Sequence, residues 1–308
     1  MSGAAGMGTG TASGGGIAFA VSNEFAPLRH VVLGRIEGYH RDPSQVEVVN
    51  EKMRQLAAAG GYPEVAQLRP EYGAFQAAME AAGVRVHLPA LAPETVQDQT
   101  CPRDIGFVVG RTFVTAGMRY ESRRAELDPL RPLLAGCSGE RLAVPDGIAL
   151  EGGDVILADE LLLVGSGQRS DPEGAAFLQQ HFGNSFEVVH LPCSGPATGE
   201  DVLHLDCTFN PLGLGHALIY PPGLKDIPAV LRDRFDWIEV TRDEQSALAT
   251  NVLSLAPDRL IARNHTACAR VNAALRQAGY EVTEVPFDGV PATGGSFRCA
   301  TLPLQRGG

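Results

Sequence analysis

A thiol, an imidazole and several carboxylates stand on four short segments, three of them marked by glycine or proline, a set of groups that could carry nucleophilic catalysis. Cys299 closes the run Gly294-Gly295-Ser296-Phe297-Arg298-Cys299, just ahead of the apolar stretch Ala300-Thr301-Leu302-Pro303. Paired glycines allow a sharp turn and close approach of a ligand, so this is a thiol with little crowding around it. A lone cysteine is more often a small buried hydrophobe, and the nucleophile reading depends on its company. His204, in Asp201-Val202-Leu203-His204-Leu205-Asp206, offers an acid–base group, although a histidine between leucines is as readily structural. Cys101-Pro102-Arg103-Asp104 and Leu150-Glu151-Gly152-Gly153-Asp154 add carboxylates. Asp104 could instead be a turn residue after proline, and Glu151 and Asp154 solvated acids at a hairpin start; Asp154 reads mainly as structural. The His204/Asp206 pair could hold a metal, but no third ligand stands at suitable spacing, so neither metal nor cofactor is expected.

Groups so far apart in sequence need a scaffold that repeats. Strands closing successive blocks are Val84–Pro89, Arg141–Pro145, Val188–Pro192, Trp237–Thr241 and Val282–Pro286, their ends about 45 to 56 residues apart. Inside the blocks, hairpins recur at residues 105–115, 155–164 and 251–262. Each is followed by a helical stretch: a charged one from Glu121, one capped at Asp171-Pro172-Glu173, and one over residues 267–278 stopped by Gly279. Residues 209–241 form the weakest block, broken by Pro211, Pro221 and Pro222. The first block lacks a strand, which Thr301-Leu302-Pro303-Leu304 could supply from the far end. The expected fold is α/β (α+β): one domain over residues 17–308, an α/β propeller of five ββαβ-like units about a pseudo-fivefold axis. The alternative, a doubly wound sheet, fits the hairpins poorly. Rotation-related block starts converge on the axis, so the four chemical segments should face one cavity.

Composition bounds the partners. A chain of 308 residues, 44% hydrophobic, is long enough for a large core. Its net charge of -11 argues against nucleic acid and anionic membrane surfaces. No apolar run approaches the roughly 20 residues that span a bilayer. The Gly/Ala/Ser/Thr-rich segment over residues 1–16 has neither a basic nor an apolar region of a secretory signal, and Ser2 replaces the glycine that myristoylation needs. It is expected to be disordered. Six cysteines without CxxC spacing exclude a zinc ribbon and point to free thiols in a reducing, cytoplasmic setting.

Arg103-Asp104, Glu151-Gly152-Gly153-Asp154, His204-Leu205-Asp206 and the glycine-rich turn ending at Cys299, in that order, resemble the pentein-type guanidine-modifying enzymes. These include arginine deiminases, dimethylarginine dimethylaminohydrolases and arginine amidinotransferases. The likeness covers essentially everything after Val21, with residues 23–28 similar to the family's first strand. It implies Cys299 as a nucleophile forming an S-amidino intermediate, His204 as general acid and base, and Glu151 as the carboxylate that steadies the histidine. It implies Asp104 and Asp206 as the pair gripping the guanidinium. Arg119 and Arg169, each following a hairpin, resemble the arginines that hold an amino acid's α-carboxylate. The implied ligand is a small guanidino compound, an α-amino acid such as arginine, with a homo-oligomer possible.

Hydrolysis and amidino transfer share this machinery. Residues 101–105 are similar to amidinotransferases, which usually carry histidine where Arg298 stands here. His204-Leu205-Asp206 and Gln168-Arg169-Ser170 resemble deiminases, and no obvious insertion shapes a second amine site. The expectation is therefore a hydrolase of the deiminase or dimethylargininase type, with an amidinotransferase as the alternative. Penteins also include non-catalytic ribosome anti-association factors, but those would lack the thiol, imidazole and acids present here.

Overall fold

The computed structural model describes residues 16–37, 46–93 and 96–307; the disorder expected of the N-terminal lead-in concerns residues outside that range, Gly16 excepted. Its strands are β1 (Leu28–Leu33), β2 (Arg85–His87), β3 (Gly106–Val109), β4 (Thr112–Thr115), β5 (Glu140–Ala143), β6 (Val155–Ala158), β7 (Leu161–Ser166) and β8 (Glu187–Pro192). They continue as β9 (Phe209–Pro211), β10 (His216–Ile219), β11 (Asp236–Glu239), β12 (Leu253–Ala256), β13 (Arg259–Arg263), β14 (Glu281–Val285) and β15 (Thr301–Arg306). They form five three-stranded sheets, β15-β1-β2, β3-β4-β5, β6-β7-β8, β9-β10-β11 and β12-β13-β14. In each, the middle strand is antiparallel to one neighbour and parallel to the other. In four of the sheets a hairpin makes the antiparallel pair, whereas a parallel pair demands a crossover, which is why a helical segment precedes the third strand of every sheet.

The strand missing from the first block does arrive from the far end. β15 runs antiparallel to β1, with Leu33 opposite Thr301 and Val31 opposite Pro303. Pro303 lacks an N–H, and it is tolerated because β15 is an edge of its sheet. The weak block also folds as the others do, its prolines falling at strand ends and in connections. The charged run from Glu121 differs: Glu121–Leu130 is a 3-10 helix, with Pro129 inside it, and an α-helix follows only at Arg131–Ala135.

Apolar runs in the central strands show how the units join. In β6, Val155 and Leu157 face one core while Ile156 and Ala158 face another, and β7 alternates likewise. Both faces of such a sheet are buried, so the run is continuously apolar. One core joins the first, second and third units, a second joins third and fourth, another fourth and fifth, and the last fifth and first. The ring is therefore closed by packing as well as by pairing: an α/β propeller of five small sheets.

Candidate active site

Asp104, Glu151, His204 and Cys299 each lie within a few residues of the first strand of a different unit: before β3, β6, β9 and β15. Asp104, Arg169, His204 and Cys299 line one cleft, which holds about 570 Å³ of free space open to solvent. Val46, Val49, Asn50, Met53 and Tyr62, before and around the helix Glu51–Ala58, supply its largely apolar wall. Glycine makes two close approaches there. A side chain at Gly153 would meet the His204 ring at 2.7 Å, and one at Gly295 would meet Cys101 Sγ at 2.8 Å.

His204 and Glu151 form a buried pair, Nε2 to Oε2 at 2.9 Å. The same Oε2 accepts from Arg169 Nη1 at 2.9 Å, and Oε1 accepts from the Arg119 backbone N–H at 3.1 Å. Burial alone would raise the Glu151 pKa, but Arg169, His204 and Arg123 overcome it and hold the carboxyl down to about 2. Burial likewise disfavours charge on His204, yet Asp104, Asp154 and Glu151 carry its pKa up to about 9. At neutral pH this is an imidazolium facing a carboxylate. Asp154 is a strut beneath them: it accepts from Ser170 Oγ at 2.6 Å and from the Leu205 N–H at 2.8 Å, fixing the turn that carries His204. Burial outweighs these bonds and raises its pKa to about 6.

Asp104 accepts from Arg123 Nη1 through Oδ2 at 2.8 Å. Its Oδ1 has no hydrogen-bond partner among the described residues and lies 3.9 Å from His204 Nδ1. Arg123 is itself clamped by both oxygens of Glu126. One oxygen of Asp104 is thus held from behind while the other remains free for a cationic ligand.

Two expected residues are placed differently, and a third lies in the cleft with its guanidinium already engaged. Asp206 does not line the cleft; it is fully buried, 3.4 Å from Arg298 Nε. The Arg119 side chain pairs with Asp171 and touches the site only through its backbone. Arg169 does line the cleft, but its Nη2 also donates to the Val49 carbonyl at 3.1 Å and its guanidinium lies over the Tyr120 ring at 5.0 Å.

Cys299 is buried, and its Sγ is 3.8 Å from Asn251 Oδ1. That oxygen also accepts from the Arg298 N–H at 2.9 Å. Asn251 stands just before β12, so it is the fifth unit's counterpart of the other four residues. Sequence reasoning read it only as the start of a hairpin, yet its place at a block start was the available signal. Arg123 and Asp98, which also line the cleft, were missed as well. Arg123 sat in the charged run read as a helix from Glu121, and the segment holding Asp98 was given no reading. Burial, Asp206 and Asp104 all push the Cys299 thiol well above its usual range.

Ligand atoms of Asp104, Glu151 and His204 come within 4.8 Å of one another, which invites a metal. Arg169 and Arg123 already place guanidinium groups on the two carboxylates, at 2.9 and 2.8 Å. That donor set suits an acid–base assembly better than a cation site.

Residues 45–306 match the family described as N,N dimethylarginine dimethylhydrolase, eukaryotic. Among curated relatives, an uncharacterised Bacillus subtilis protein, YkgA, is 35% identical over 68% of this chain and 71% of its own. Inosamine-phosphate amidinotransferase 1 of Streptomyces glaucescens is 25% identical over 94% of this chain and 97% of its own. Among solved structures, SxtG, an amidinotransferase from Microseira wollei, superposes with a TM-score of 0.79 at 21% identity, covering 94% of this chain and 98% of its own. Fold and site together thus define a guanidine-modifying pentein. Within that superfamily the chain belongs to the N,N dimethylarginine dimethylhydrolase family.

Proposed function

We propose that the protein is a hydrolase acting on the guanidine group of arginine or an N-substituted arginine through an S-amidino-cysteine intermediate. The observation that carries this is the shared cleft: Cys299, His204 and the free oxygen of Asp104 face one space, with His204 bonded to Glu151.

Asp104 accepts N–H groups of the substrate guanidinium and sets its carbon before Cys299. Asp206, behind the cleft, adds negative potential rather than a direct contact. The bound cation offsets the acids that hold the thiol protonated, and the thiol proton leaves to solvent. The thiolate then adds to the guanidinium carbon, forming a C–S bond. Imidazolium His204 protonates the departing nitrogen, which leaves as an amine or ammonia with its bonding electron pair. The now neutral His204 takes one proton from water as the water oxygen adds to the amidino carbon; the C–S bond then breaks to return thiolate, and the remaining hydroxyl proton passes to solvent, leaving a neutral ureido product. Glu151 orients the ring and stabilises its charge throughout. Arg169 is the cleft arginine available to an α-carboxylate, which would have to draw it from Glu151 and the Val49 carbonyl. Arg119 would reach the ligand only by leaving Asp171. All six cysteines are free, which suits a reducing, cytoplasmic setting.

Amidino transfer to an amine is the second reading, favoured by the near full-length match to an amidinotransferase. One experiment separates the two. The protein is incubated with arginine, methylated arginines or agmatine, with and without glycine, and products are identified by mass. Citrulline formed equally in both conditions supports the hydrolase; guanidinoacetate formed only with glycine replaces it by the transferase. No product from any substrate would defeat both.

A further inference from the structure

A second buried ion cluster, outside the lining of the cleft, is fastened to the backbone of Cys299. Glu24 accepts from Arg103 Nη1 through Oε1 at 3.3 Å and from Arg298 Nη1 through Oε2 at 3.1 Å. Arg298 also reaches Asp206 at 3.4 Å and Asn210 Oδ1 at 3.2 Å. Arg306, on β15, gives Nη1 to the carbonyls of Ala26 and Ser254 and lies within electrostatic reach of Glu24. All of these arginines and acids are at most 5% exposed. Three guanidinium groups therefore face two carboxylates. The surplus shows in unused donors: Arg103 Nη2, Arg298 Nη2, and both Nε and Nη2 of Arg306 have no hydrogen-bond partner among the described residues. An unmatched buried charge is costly, so a nearby group that can turn negative is favoured to do so. Cys299 is that neighbour. Its carbonyl accepts from the Arg103 N–H at 3.2 Å, Arg103 Nε donates to the Arg298 carbonyl at 3.3 Å, and Arg298 precedes it in sequence.

We propose that Arg103, Arg298 and Arg306, set against Glu24 and Asp206, form a fixed electropositive backing whose surplus charge stabilises the Cys299 thiolate once substrate binding lets it form. The cluster thereby positions the sulfur's charge and controls when the thiol ionises. This rests on the reading of Cys299 as the nucleophile and adds to it the origin of its charge. Other groups facing the sulfur come from every packed segment. Asp104 and Cys101 belong to the second unit, Asp206 and Cys207 to the fourth, Tyr72 to the helix Val65–Ala81, and Asn251 to the fifth. His204 faces it across the cleft. Asp104 and Asp206 oppose ionisation in the free protein. A guanidinium bound at Asp104 cancels the first of these and leaves the backing less opposed, so ionisation is coupled to occupancy.

The test is the rate of Cys299 alkylation by iodoacetamide in the full chain, located by peptide mass and followed from pH 6 to 9. Below the thiol's midpoint this rate tracks the thiolate fraction, so a midpoint one pH unit higher slows it about tenfold. Arg298→Met should slow alkylation about tenfold or more, since losing an opposite charge nearby moves a pKa by roughly 1–3. Glu24→Gln should speed it by a similar factor, and Arg298→Lys should stay near wild type. Changes of opposite sign are specific to charge: a structural role would move both variants the same way. If Arg298→Met does not fold, Glu24→Gln decides, and an unchanged or slower rate overturns the proposal. Failure of the underlying reading looks different, because Cys299→Ser would then retain turnover whatever the alkylation rates show.

Discussion

Two buried ion clusters lie on either side of Cys299, similar in composition and opposite in behaviour. In the cleft, Arg123, Arg169 and His204 face Asp104, Glu126 and Glu151. Two of these groups titrate near working pH: His204 at about 9, and Glu126, which burial raises to about 8 against the pull of Arg123. Behind the cleft, Glu24 is held down to about 2 by Arg298, Arg103 and Arg306 despite its burial, and burial lowers Arg306 only to about 9. The second cluster therefore keeps one charge state from about pH 5 to 8, the range in which Glu126 of the first begins to titrate, and Arg306, like His204, changes charge only near 9. One assembly can move protons while the other supplies a constant field, and the difference is set by histidine in the first and by arginine alone in the second.

The sharpest way to break this division is to remove the group between the clusters. Cys299→Ser should abolish turnover, a loss of several orders of magnitude, while the melting temperature stays nearly unchanged. Measurable turnover would show that neither cluster serves that sulfur. His204→Ala should cost about 10²- to 10⁴-fold in kcat, the usual worth of a positioned acid–base group. Rates equal to wild type would make the cleft cluster as static as its neighbour. Arg169→Ala should raise KM for arginine more than for agmatine, which has no carboxylate. An equal rise for both would assign Arg169 to orienting Glu151 alone, and the kcat/KM ratio of the two substrates reads this directly.

The fold was more legible in the sequence than the charge network. Hairpins, proline-ended strands and a roughly constant spacing are local signals, and each unit is built from contacts close in sequence. Even the return of Thr301–Arg306 to β1 followed from a strand missing in one block and spare in another. The starts of four units supplied Asp104, Glu151, His204 and Cys299 for the same reason. What stayed hidden depends on which way a side chain turns. Asp206 sits two residues after His204 yet points to Arg298 behind the cleft, and Arg119 is diverted to Asp171. Arg123 is buried because Asp104 and Glu126 neutralise it, and a run reading Glu-Ser-Arg-Arg-Ala-Glu gives no sign of that. Long-range pairing of charges leaves no periodic trace.

The smallest expected effect is on stability, and it separates the clusters by pH. His204 has a folded pKa of about 9 against a usual value near 6.5. Its ion pair therefore stabilises the fold fully below about pH 6.5, and that contribution is lost as pH rises through about 9. Glu24 has a folded pKa of about 2 against 4.5, so its contribution is present above about pH 4.5 and disappears as pH falls toward 2. His204→Asn should flatten the fall in melting temperature between pH 6 and 9 and leave the acid limb alone, whereas Glu24→Gln should flatten the acid limb only. Melting curves of the three proteins across pH 3 to 9 check both. If either variant altered the opposite limb, the clusters would be coupled, and the separation of a proton-moving assembly from a fixed field would fail.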